Sequence, residues 1–228
     1  MTHPATDAVP SAVRAFVALD LDAPARAAVE QAVAEVRGEC GVAVRWAAVD
    51  TLHLTLRFLS DVVPDTVAML GVTRRAAAAR LAPVRLRLRG AGAFPPRAWR
   101  RVLWIGVEPA PTLAALHRAG EDACAAVGLG RDGRAFRPHL TVARPRRSQP
   151  LAEPALAAAL ARVGFVTATR VASLHRMRSD LTPAGARHTP LGTFAIGTGT
   201  SGTAARGTPT LGGRGAVGGP ALRAREAR

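Results

Sequence analysis

Two short runs of this chain, His53-Leu54-Thr55-Leu56 and His139-Leu140-Thr141-Val142, repeat one pattern of imidazole, apolar, hydroxyl and apolar side chains. In a β-strand alternate side chains face opposite sides. Thr51, His53, Thr55 and Arg57 should therefore share one face, and Leu52, Leu54, Leu56 and Phe58 the other. His139 and Thr141 separate from Leu140 and Val142 in the same way. A lone histidine on a strand is usually structural, but a repeated pattern reverses that weighting. Imidazole titrates near pH 6.5 when unperturbed, so neutral and protonated forms are both accessible around neutrality, roughly. One ring can take a proton from attacking water while the other gives one to a departing oxygen, each transfer contributing about 10²–10⁴-fold. Threonine hydroxyls can donate to non-bridging phosphoryl oxygens, and Arg57 is a further candidate contact to phosphate. If the strands face each other across a groove, the two rings flank one phosphorus, as in-line displacement requires. No carboxylate cluster accompanies the histidines, so the reading includes neither a metal nor a cofactor.

Something must hold these strands. Short β-branched and apolar runs between breakers predict strands at Val13–Leu19, Val42–Trp46, Leu52–Leu59, Val84–Arg89, Val102–Val107 and Arg137–Ala143. Three more are expected at Phe165–Thr169, Val171–Arg178 and His188–Phe194. Helices are predicted at Ala23–Arg37, where Asp22 can cap and Pro24 suits the first turn, and at Asp65–Arg80, Thr112–Val127 and Pro154–Val163. The mixture is α+β. Each histidine motif follows a strand and a helix and precedes another helix, which implies two similar half-domains.

The 228 residues suffice for one generous domain or two packed lobes, and no apolar run is long enough to span a membrane. The N-terminal residues lack a secretory pattern, so a soluble, cytoplasmic protein is expected, and it is read as a monomer. Cys40 and Cys124 are far apart and outside any metal-binding or redox spacing, and are read as buried apolar residues. The formal charge is +15, which favours a polyanionic partner. Every basic residue is arginine, consistent with GC-rich coding as well as with function. The absence of lysine excludes a lysine-dependent nucleotidyl-transfer ligase and a P-loop. After Phe194 the composition turns to Gly, Thr, Ala and Arg without apolar periodicity. This divides the chain into a folded unit at 1–196 and a disordered tail at 197–228.

The ordered motifs resemble those of the 2H phosphoesterase superfamily, and more closely the RNA 2′,3′-cyclic phosphodiesterases also called 2′-5′ RNA ligases. The resemblance begins at Phe16-Val17-Ala18-Leu19-Asp20 and continues through Val44-Arg45-Trp46 and Leu52–Leu59. It extends through Gly92-Ala93-Phe94-Pro95, Leu103–Val107, Phe136–Arg144 and Leu181–Arg187. It implies two lobes whose antiparallel sheets line a central cleft with helices outside. It also implies hydrolysis of an RNA 2′,3′-cyclic phosphate end to a 2′-phosphate, with ATP-independent 2′-5′ joining as a possible reverse reaction. By the same resemblance His53 is the proton donor and His139 the proton acceptor, Thr55 and Thr141 hold the phosphate, and Arg144 assists. Strict alternation would turn Arg144 away from His139, so the strand must end or twist before it. Where relatives commonly carry an aromatic in the last hairpin, His188 stands here.

His3, His117 and His175 are read as non-catalytic, and Asp50 and Asp180 as turn or pairing residues. Trp46 and Trp104, flanked by strand residues, are read as core. Trp99 and Phe94 fall in an expected loop, 90–101, with Arg97 and Arg100, and are candidate substrate contacts. Two alternatives remain: a cyclic phosphodiesterase acting on small nucleotides, and a non-catalytic basic RNA-binding module.

Overall fold

The computed structural model describes residues 12–39, 44–79, 81–94, 102–145, 154–182 and 185–197. The expectations for His3, Cys40, Arg97, Trp99, Arg100 and the tail beyond residue 197 lie outside the described residues. Among those described, no helix is long and apolar enough to cross a membrane.

The chain is α+β, with β1 (Val13–Asp20), α1 (Ala23–Glu39), β2 (Val44–Trp46), β3 (His53–Val62), α2 (Pro64–Ala79), β4 (Val84–Phe94) and β5 (Val102–Val107). There follow α3 (Pro111–Ala126), β6 (His139–Pro145), α4 (Pro154–Arg162), β7 (Phe165–Val171), β8 (Ser173–Thr182) and β9 (Gly185–Ala195). β4 runs past its expected end at Arg89, because a bulge at Arg89–Gly90 absorbs the turn signal with Gly90 at φ 70°. Phe94 is therefore on a strand and not in a loop.

The strands form an antiparallel sheet in the order β7-β4-β5-β6-β3-β1-β8-β9, with β2 also pairing to β6. Its two halves, β3-β1-β8-β9 and β6-β5-β4-β7, meet at one registered pair, Leu54 with Leu140. These are the two halves expected from the repeat, but they are joined edge to edge, so the two histidine strands lie side by side in the sheet and do not face each other across a groove. Beyond that pair β2 takes over the edge of β6, Val44–Trp46 pairing with Pro145–Ala143, and β3 diverges. Apolar residues of both halves share one core: Leu19, Leu54, Leu86, Leu88, Leu103, Leu140 and Leu174 are each no more than 2% exposed. The helices cover this side, α1 against α4 and β7, α2 against α3 and β9, and α3 also against β3. Asp22 caps α1 through the Ala25 amide at 2.8 Å and accepts the buried Thr169 hydroxyl of β7, also at 2.8 Å.

Leu54 is 0% exposed and forms half of the pair that joins the two halves. Leu54→Ala should cost about 2–5 kcal/mol of stability, read as a shift in urea midpoint at constant slope.

Candidate active site

An antiparallel register centred on Leu54 and Leu140 sets His53 toward Thr141 and His139 toward Thr55. The histidines are then diagonal neighbours on the face opposite the leucines. Such neighbours stand about 7–8 Å apart, still within reach of one group placed between them. Each imidazole is held identically: Nδ1 of His53 donates to the Thr51 carbonyl at 2.7 Å, and Nδ1 of His139 to the Arg137 carbonyl at 2.7 Å. A carbonyl can only accept, so the proton sits on Nδ1 in each neutral ring and Nε2 carries the lone pair. His53 also senses the charge of His139.

The surroundings differ. His53 stacks on Phe16, centroids 4.8 Å apart at 25°, and meets His188 edge-on at 5.4 Å. Burial lowers the His53 pKa below its ordinary 6.5, and the charge of His139 adds to this. The Thr51 hydrogen bond and Asp20, its cross-strand partner, oppose the shift. Asp20 is itself 3.2 Å from Arg26 and 3.8 Å from His175. His175 lies on the cleft side, opposite Ala18, and contacts Ser173 and Thr193. His139 meets Phe94 edge-on at 5.2 Å, and Phe94 packs at 5.2 Å on Trp104. Trp104 pairs with Thr141, so it lies on the site face and not in the core, its ring seated over Gly92, where any Cβ would overlap it.

One expectation is corrected. Arg57 does not share the face of His53. Val17 pairs with Arg57 and Ala18 with Thr55, so Leu56 is the extra residue of a β-bulge and the alternation reverses after it. Arg57 turns to the helices, binds Glu121 of α3 at 2.9 Å, lies 3.7 Å from Asp132 and donates to the Gly130 carbonyl at 3.3 Å. Glu121, 5% exposed, also accepts the Asp132 amide at 2.7 Å. It thereby ties β3 to the loop that leads into His139. The residue returned to the site face is Phe58, packed 5.5 Å from Phe16 with the Arg14 guanidinium 5.7 Å above its ring.

The second motif bends at the same place. Thr141 pairs with Trp104 and Ala143 with Leu103, leaving Val142 as the extra residue. Its carbonyl is taken by the Ala47 amide at 2.8 Å. The bulge supplies the twist that Arg144 needs, putting it on the face of His139. Arg144, Phe58 and Arg14 were separated in sequence and share a corner here; only Arg144 carried a sequence signal. Burial lowers the His188 pKa, with His53, Arg14 and Arg144 adding repulsion to its protonated form. Burial and Arg14 likewise depress Arg144.

This fold and site define a two-histidine phosphoesterase architecture. The family model for the 2′-5′ RNA ligase superfamily matches residues 17–183. An RNA 2′,3′-cyclic phosphodiesterase of Methanothermobacter thermautotrophicus is 34% identical over 187 residues, 81% of this chain and 99% of that protein. One from Geobacillus stearothermophilus is 32% identical over 171 residues, 74% of this chain; the match spans 53% of that longer relative. The crystal structure of the Thermus thermophilus protein TT0787 superposes with TM-score 0.69 at 27% identity, covering 82% of this chain and 99% of that one. The chain belongs to the 2′-5′ RNA ligase superfamily and is an enzyme of its cyclic phosphodiesterase kind.

Arg57→Ala should cost about 3–5 kcal/mol, since it leaves Glu121 buried without its cation. Arg144→Ala, on the exposed side, should stay within about 0.5 kcal/mol; urea unfolding of both variants compares them. The depressed His53 and His188 pKa values mean that the unfolded chain binds more protons near and below pH 6.5. Stability should therefore fall as pH drops through that range. His188→Phe should flatten the difference between denaturation midpoints taken on either side of it.

Proposed function

We propose that this enzyme opens the 2′,3′-cyclic phosphate at the end of an RNA to a 2′-phosphate, using His53 and His139 as its proton-transfer pair without a metal ion. The observation that carries this reading is the matched tethering of the two imidazoles. Each Nδ1 is committed to a carbonyl two residues earlier, and both Nε2 atoms are left to act on one group between them.

The reaction then follows from the residues. His139 accepts the proton of a water that attacks phosphorus. The bond to the ribose 3′-oxygen breaks, and His53 protonates that oxygen as it leaves. Thr55 and Thr141, one beside each ring, donate to the non-bridging oxygens, and Arg144 adds a fixed positive charge as negative charge builds there. With a 5′-hydroxyl in place of water the same steps join RNA ends through a 2′-5′ bond, and no ATP enters the balance. The names of the relatives support the choice of an RNA cyclic phosphate.

In free enzyme the depressed pKa of His53 keeps its ring largely neutral at neutral pH. A bound phosphate anion raises it again and loads the donor. The alkaline limb of kcat/KM should accordingly fall below 6.5, and that of kcat should lie at higher pH. Identical limbs for the two parameters would contradict the assignment.

Product analysis on an RNA with a 2′,3′-cyclic end, in excess chelator, tests the reaction itself. A 2′-phosphate product is expected, with losses of about 10²–10⁴-fold in His53→Ala and in His139→Ala. Formation of a 3′-phosphate, or activity abolished by the chelator, would refute it. Equal turnover of a mononucleotide 2′,3′-cyclic phosphate would shift the reading to small nucleotides.

A further inference from the structure

The outer strands of the second half carry a surface that the reaction above does not use. β4 alternates Val84, Leu86 and Leu88, each 0% exposed, with the exposed Arg85, Arg87 and Arg89. Leu88 pairs with Val107 on the core side. The three arginines therefore share the opposite side with Gly106, whose cross-strand partner is His139. β7 adds Arg170 opposite Arg85 and Phe165 opposite Arg89. Phe165 is 52% exposed, and the Arg87 guanidinium lies 5.2 Å from its ring centre.

Glu108 binds Arg87 at 2.7 Å and stands 3.9 Å from Arg89, offsetting part of this charge. Among the described residues Arg85 and Arg170 have no ion pair, although they face each other directly across the ladder. Like charges in that position destabilise a sheet, and a bound polyanion would reverse the penalty. The matching outer strands of the first half are different: β8 and β9 put His175, Met177, Ser179, His188 and Pro190 on the cleft side. The basic track is thus a property of one half only. Alternate arginines on β4 are about 7 Å apart, and β4 lies two strands, about 10 Å, from the strand that carries His139.

We propose that the β4–β7 face binds the backbone of single-stranded RNA, its phosphates on Arg85, Arg87, Arg89 and Arg170 and a base stacked on Phe165. This deepens the function proposed above and rests on it for the choice of RNA. Guanidinium contacts that follow the phosphates, with an aromatic beneath a base, form the usual sequence-tolerant mode of single-strand binding. The track would favour a polynucleotide over a mononucleotide in the same cleft.

The test is fluorescence anisotropy with a labelled single-stranded RNA of about 12 nucleotides ending in a 3′-hydroxyl, so that binding is read without turnover. An Arg85→Ser/Arg170→Ser double variant should bind about tenfold more weakly at moderate salt. Its slope of log affinity against log salt should be shallower by about 1.4. Phe165→Ala should weaken binding by about tenfold without changing that slope. Turnover of a mononucleotide 2′,3′-cyclic phosphate should be unchanged in both variants. Unaltered RNA affinity in the variants, or competition by polyglutamate as strong as by RNA, overturns the proposal even if turnover is intact. Arginine-dependent RNA binding in a protein that opens no cyclic phosphate would uphold this surface and sink the reaction instead.

Discussion

The site depends on one backbone pairing. Leu54 and Leu140, both 0% exposed, are the registered contact between the two half-sheets, and everything chemical is counted from them. One residue before each stands a histidine, and one residue after each a threonine. An antiparallel register makes those four side chains a symmetric set without any further design. A slip of one residue in either strand would drive its imidazole into the core and bring its leucines out, so the packing that holds the leucines also holds the geometry of the proposed proton-transfer pair.

The bulges extend this symmetry. In an uninterrupted strand the residue five places after each histidine would point away from it. The extra residues at Leu56 and Val142 return Phe58 and Arg144 to the site face. The two halves then use the recovered position differently, with a ring on the strand of His53, packed on Phe16, and a cation on the strand of His139. A pseudo-symmetric frame thus gives the two imidazoles unlike settings, which the proposed reaction needs, since one ring begins it with a proton and the other without one. The stacked Phe16, the edge-on His188 and the nearby Asp20 make the setting of His53 unlike that of His139.

Much of this was legible in the amino-acid order because it rests on period-two patterning. The alternation around both histidines and most strands follow from it, and the four helices follow from helical spacing and capping residues. Arg57 was misplaced because a bulge has no reliable local signal in Leu56-Arg57-Phe58; it exists only in the register against β1. The same limit hid Phe58 and Arg14, and it left Arg144 dependent on a twist that alternation alone does not supply. Trp104 was read as core because a tryptophan in a strand usually is. Its place on the site face depends on Gly92 across the ladder, a long-range fact. The ion pairs of Arg57 with Glu121 and Asp132 join positions far apart in the chain, which no spacing rule connects.

A sheet that does not close into a barrel leaves two borders where a foreign strand could add. In this chain β9 forms one border and β7 the other. Pro190 removes an amide from the β9 ladder, so that side offers a broken template. Arg170 adds a charge to the β7 side, next to the charge of Arg85. Both devices discourage fibril-like stacking of copies, and the guanidiniums proposed to meet RNA would also keep the protein dispersed when no RNA is present.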